Sequence, residues 1–248
     1  MKSFLLFILF LIPLVAGSQV HQDIGIYFRP TTDPKEAILG YEGIKLALEE
    51  NGYENQVGYL KNLDEETLKK IKVLIIPCVY GFQEEESRLR SRLRRFVENG
   101  GGMILLHEAI GWRRVWSRNP VFPEIGSGCG EGDSYLDSFT KGVGPMTTRY
   151  VDLKVFDSTH PLASSIQGEI KVLFDMPEIK PGEKGQVVFI RKDTGTAAVV
   201  AGQWKQGRVV LVAPNLGLGP RNMEQPPAGE GLKLLLNCVL WVQGKEKR

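Results

Sequence analysis

The stretch FVENGGGMILLHE, residues 96–108, decides the fold of this chain. It reads as the last turn of an amphipathic helix, a glycine stop, a short apolar strand and two ionisable residues at the strand's end. Glycines just past a helix accept the left-handed conformation that closes its last turn. Met103, Ile104, Leu105 and Leu106 then form an unbroken apolar run, as suits a strand buried on both faces. In open α/β sheets, ligands bind outside the carboxyl ends of the strands. His107 and Glu108 therefore stand where a substrate would be met.

Working upstream, the same alternation recurs. Strands are expected over 24–28, more weakly over 56–60, and over the apolar run 73–77. Asp33-Pro34-Lys35-Glu36 offers an N-cap, a proline at the first helical position and a glutamate at the third. Tyr41, Ile44, Ala47 and Leu48 supply that helix with an apolar stripe, and Asn51-Gly52 ends it. Asp64 caps a short helix ending near Ile71. A longer helix over 84–98 places Leu89, Leu93, Phe96 and Val97 on one face.

Downstream, residues 113–149 lack periodicity, and a long irregular stretch inside a compact domain points to a functional loop or lid. The second half is β-rich, with strands over 150–156, 170–174 and 186–190. Segments 197–204 and 208–213 form a hairpin across Lys205-Gln206-Gly207, and a final helix covers 229–242. Strands alternating with helices predict an α/β fold around a mostly parallel sheet.

The chain opens with Lys2, an apolar run from Phe4 to Val15 and the small residues Ala16, Gly17 and Ser18. That is the pattern of a secretory signal peptide, assigned here to residues 1–18. The run is shorter than the roughly 20 residues that span a bilayer. Residues 19–248, about 230 in all, then suit a single domain. The location expected is secreted or periplasmic, without stable membrane insertion after cleavage. A formal charge of +2 provides no field to attract nucleic acid or acidic lipid. Among the three cysteines, Cys78 and Cys129 fall in expected loops and are the favoured disulfide pair, while Cys238 sits in an apolar helical stretch.

His107-Glu108 is the strongest local signal for chemistry, because burial and the amino terminus of a helix expected to start at Ala109 can shift both groups. Asp157-Ser158-Thr159-His160-Pro161 is the second constellation, and a turn whose aspartate caps backbone amides accounts for it. His107, His160 and a carboxylate have suitable donors for a divalent metal, but no pair has the close helical spacing of a zinc motif. No metal site and no cofactor is assigned. Trp112, Trp116 and Trp204 could offer flat faces to a sugar ring, core packing being their commoner fate. The glycine-rich run 126–132 lacks the strand and helix of a dinucleotide fingerprint and reads as a flexible loop. Arg88, Arg90, Arg92, Arg94 and Arg95 read as a solvated helix face, since glutamates surround them and no aromatic residues interleave.

Taken in order, the run 73–77, the block 96–107, Thr159-His160-Pro161-Leu162, and Gly207-Arg208-Val209-Val210-Leu211 leading to Leu216-Gly217 resemble the ThuA-like (trehalose-utilisation) family. Leu240-Trp241 near the end adds to the likeness. That family lies in the class I glutamine-amidotransferase-like superfamily. The resemblance implies a flavodoxin-like three-layer sandwich with a β-rich C-terminal half, and a role in sugar metabolism. In glutamine-hydrolysing relatives, the strand matching 103–106 ends in a turn that carries a cysteine nucleophile. His107, Glu108, Ala109 and Ile110 occupy that place, so glutaminase activity is not expected. The family's histidine after the late Leu-Gly pair is also replaced, by Leu218.

These readings converge on an exported protein that acts on or binds a carbohydrate-derived small molecule. His107 and Glu108 are its acid/base or ligand groups, and Trp112, His160 and Gly81 line the pocket. A homo-oligomer is compatible with this reading. The alternative is a non-catalytic amidotransferase-like domain used for binding or assembly beside carbohydrate-processing proteins.

Overall fold

The computed structural model describes residues 22–33, 38–79, 82, 84–111, 120–129, 150–173, 178–220 and 223–245. The expected signal peptide, Gly81, Trp112, Trp116 and most of the irregular stretch lie outside the described residues.

Parallel pairing organises one side of the sheet. Strands β1 (Ile24–Tyr27), β3 (Val57–Leu60), β4 (Val73–Ile76), β6 (Gly102–Leu106) and β13 (Gly207–Val212) lie side by side in the order β3-β1-β4-β6-β13. Their pairings with one another are all parallel. After β3 has formed one edge, the chain crosses back past β1 to β4, so the winding direction reverses between β1 and β4.

Alternating side chains sort this sheet's two cores. Val73, Ile75, Ile104 and Leu106 point into one cluster with Ile44 and Leu48 of α1 (Tyr41–Leu48) and with Leu235 and Val239 of the C-terminal helix α4 (Gly229–Val242). Leu74, Ile76, Met103 and Leu105 point to the opposite face, against Leu68 of α2 (Glu65–Leu68) and Leu89, Leu93 and Val97 of α3 (Glu86–Glu98). Leu89, Leu93 and Val97 recur every four residues, which keeps them on one stripe of the helix. Burying each side chain contributes about 1.5–3 kcal/mol, so Leu93→Ala should weaken this layer.

The expected parallel sheet holds only as far as β13. Beyond it the sheet continues antiparallel through β12 (Ala197–Trp204), β11 (Gln186–Arg191), β8 (Tyr150–Val155) and β9 (Ile170–Leu173), within one sheet of eleven strands among the described residues. Strands β7 (Gly126–Cys129) and β10 (Glu178–Pro181) complete it, through β7–β10 and β10–β12 pairing. Sequence periodicity misses both. β7 is a Gly-Ser-Gly-Cys segment whose backbone pairs although its small side chains carry no alternation, so residues 126–129 of the expected flexible loop are strand.

The first helix also differs from expectation, since it begins at Tyr41. Ile38–Leu39 (β2) pairs antiparallel with Cys78–Val79 (β5) instead of continuing a helix from the Asp33-Pro34 signal. Gly40 follows at φ +89°, a left-handed turn that suits glycine. Residues 34–37 lie outside the described residues.

Candidate functional site

Pro77 shapes one wall of the site. It has no backbone N–H to continue the parallel ladder, so β4 ends at Ile76 and the chain turns into β5. Pairing of Leu39 with Cys78 fixes that turn. Cys78 consequently sits at the carboxyl end of β4, 2 % exposed, and remains a thiol rather than half of the expected disulfide.

The neighbouring strand β6 supplies the other wall. It ends at Leu106, and His107 takes φ +50° at the start of a 3-10 turn, His107–Ile110, followed by Gly111 at φ +141°. Left-handed backbone is uncommon outside glycine, although histidine tolerates it better than most residues. Such a conformation costs about 1–3 kcal/mol and is held only by its surroundings. The sharp turn after β6 is thus present, with a histidine at its strained position.

The side chains converge there. Cys78 Sγ lies 3.4 Å from His107 Nδ1, and Glu108 completes a group whose ligand atoms all lie within 4.8 Å of one another. His107 is 6 % exposed and Glu108 3 %. A thiol, an imidazole and a carboxylate in one buried cluster can move a proton, activate a nucleophile or bind a cation.

A carboxylate unforeseen from the sequence lies at the same end of the sheet. Glu224 Oε1 accepts from the Gly40 amide at 2.7 Å, and its Oε2 accepts from the amides of Glu42 and Gly43, each at 3.1 Å. It fills the amino terminus of α1, where a negative charge is favoured. Burial pushes its carboxyl up, against the pull of those three amides downward. Leu218 bridges to Glu224. Asn215 links this segment to β2, donating to the Leu39 carbonyl at 3.2 Å. An aromatic group stands beside it: the Tyr41 ring is 4.4 Å from Phe28 and 5.5 Å from Tyr59. Burial, with nearby Glu42, pushes the Tyr59 hydroxyl up to about 12.

His160 does not join this cluster. Its Nδ1 accepts from the Leu162 amide at 3.1 Å, and its ring lies 5.2 Å from Trp241. The Trp241 carbonyl is held by Arg208, which pairs with Gly102 at the start of β6. His160 is therefore near the amino ends of the parallel strands. A five-residue strand, about 3.3 Å per residue, separates that end from His107. Asp157 caps the Thr159 amide at 2.9 Å, as the turn reading expects. Trp204 lies under the Arg94 guanidinium at 4.2 Å and donates to Glu98. The arginines of α3 are largely matched by glutamates, including Arg94 with Glu124 at 2.9 Å. A surface groove of about 440 Å3 between α2 and α3 borders Lys72 and Gly101, at the amino ends of β4 and β6 and away from the thiol-histidine cluster.

Comparison with protein-family models finds no match, and comparison with curated protein sequences finds none. Solved structures are similar. A ThuA-like protein from Bacteroides uniformis superposes with a TM-score of 0.60 at 15% identity, covering 95% of this chain and 97% of that one. A ThuA-like protein from Parabacteroides merdae gives 0.56 at 14% identity, covering 91% of both chains. A β-galactosidase from Bacillus circulans gives 0.60 at 14% identity, covering 90% of this chain but 31% of that enzyme. The fold is thus ThuA-like.

Proposed function

We propose that this is an exported protein of the ThuA-like, amidotransferase-like class that binds or acts on a carbohydrate-derived small molecule at the carboxyl ends of β4 and β6. The observation that carries this reading is the convergence of Cys78, His107 and Glu108 in one buried cluster. It lies next to the point where the winding direction reverses, the place where open α/β sheets hold their ligands. The parallel order β3-β1-β4-β6-β13 is also the second-first-third-fourth-fifth order of flavodoxin-like sheets. The carbohydrate element rests on the likeness to ThuA-like structures. Export rests on the amino-terminal sequence pattern.

A panel of mono- and disaccharides tests it by thermal shift. One or more should raise the melting temperature of wild type, and the rise should vanish in a folded Glu108→Gln variant. A rise that survives in the variant removes Glu108 from the site, and no rise with any saccharide removes the substrate class.

A second reading has its own support. The β-galactosidase likeness occupies under a third of that enzyme, as a unit within a larger chain. A binding or assembly domain without catalysis would share this geometry, and it predicts saccharide binding with no turnover of any bound sugar.

A further inference from the structure

Two neighbouring strand ends bring a thiol, an imidazole and a carboxylate together, although nothing in the linear spacing of residues 78 and 107 suggests it. We propose that Cys78, His107 and Glu108 bind one divalent transition-metal ion of the zinc class, through Cys78 Sγ, His107 Nδ1 and a Glu108 carboxylate oxygen.

The donor set fits that ion. Thiolate and imidazole select zinc-like cations over magnesium or calcium, and a carboxylate completes a mixed sulfur, nitrogen and oxygen set. The sulfur–nitrogen spacing fits as well. Zinc bonds of about 2.3 Å to sulfur and about 2.0–2.1 Å to nitrogen, at a tetrahedral angle, hold those atoms about 3.5 Å apart. The observed separation of Cys78 Sγ and His107 Nδ1 is 3.4 Å.

A thiol–imidazole hydrogen bond alone would also give this distance, but it needs no third ionisable group. Glu108 brings one within 4.8 Å, nearly fully buried, so sulfur, nitrogen and oxygen donors converge in one place. The left-handed turn at His107 presents two consecutive ligands from a rigid strand end. Three protein ligands leave a fourth position for water or a ligand oxygen, the arrangement of catalytic rather than structural zinc. Binding requires the thiolate, so it releases a proton and tightens as pH rises. This site goes beyond the saccharide reading and stands or falls separately from it.

The test is a cobalt chloride titration of chelator-stripped full-length protein. One equivalent of cobalt should bind with a near-ultraviolet thiolate-to-cobalt band, and zinc should displace it. Cys78→Ser should abolish the band and weaken zinc at least as much as the roughly 10–100-fold lost with even an outer-shell partner. Cys129→Ser should leave both unchanged. A missing band in folded wild type, or a band that persists in Cys78→Ser, overturns the proposal. If Cys78→Ser fails to fold, X-ray absorption of zinc-loaded wild type decides: one sulfur with nitrogen and oxygen neighbours supports the site, and no sulfur overturns it. Saccharide shifts measured in chelator report on the other reading separately.

Discussion

Cys78 Sγ stands 3.4 Å from His107 Nδ1 across the ends of two adjacent parallel strands, although the two residues are 29 apart in the chain. Proline at position 77 and left-handed backbone at position 107 create this meeting. The first ends a strand by lacking a donor. The second turns the chain sharply enough to keep both side chains at the strand ends.

Strain at His107 can be measured. Glycine adopts φ +50° freely, whereas alanine bears a steric cost of about 1–2 kcal/mol in left-handed backbone. Both variants remove the imidazole, so their difference isolates the backbone. His107→Gly should be more stable than His107→Ala by about 1 kcal/mol in urea unfolding. Equal stability would show that the turn relaxes.

Glu224 should stabilise the start of α1. Its replacement by alanine leaves three amides without their carboxylate partner and should cost about 1–2 kcal/mol, the range of a lost helix cap. The pH dependence follows from the upward displacement of this carboxyl by burial. The folded state keeps the proton at pH values where the unfolded chain has lost it. Glu224's contribution to stability should therefore fall as pH rises upward from the ordinary value of 4.5. Denaturant midpoints of wild type relative to Glu224→Gln should decline through that interval; a relative rise would mean that the three amides outweigh burial.

Gly217 permits a close approach that positions β2. A Cβ there would meet the Gly40 carbonyl oxygen at 1.8 Å, and that neighbour is backbone. Gly217→Ala should destabilise by about 1–3 kcal/mol or more, as overpacking does. Because Leu39, beside Gly40, pairs with Cys78, saccharide and cobalt binding should weaken in the same variant. Circular dichroism melting and the two binding assays check this together, and unchanged binding in a destabilised protein would separate β2 from the site.

Several elements were legible in the sequence because their side chains are periodic or their ends are capped. The helix over 229–242 and the hairpin around Lys205-Gln206-Gly207 show this. So does Asp64, which accepts from the Thr67 amide at 2.8 Å. The first helix was misplaced because Ile38–Leu39 is drawn into pairing by β5, a long-range contact that overrides the Asp33-Pro34 start signal. Strand β7 was missed because its pairing uses backbone alone.

The candidate site was half legible. His107 and Glu108 follow an apolar strand and announce themselves locally. Cys78 and Glu224 reach the same end of the sheet only through tertiary pairing, by β5 on β2 and by the Leu218 bridge. His160, expected to line the pocket, has its ring on Trp241 near the other end of the parallel strands.

The most direct test of the central claim is where a saccharide binds. A crystal of the protein soaked with the saccharide that gives the largest thermal shift should show it at the carboxyl ends of β4 and β6, within hydrogen-bond reach of Glu108. Saccharide bound instead in the groove between α2 and α3, beside Arg92 and Phe96, with nothing near His107 and Glu108, would contradict the account.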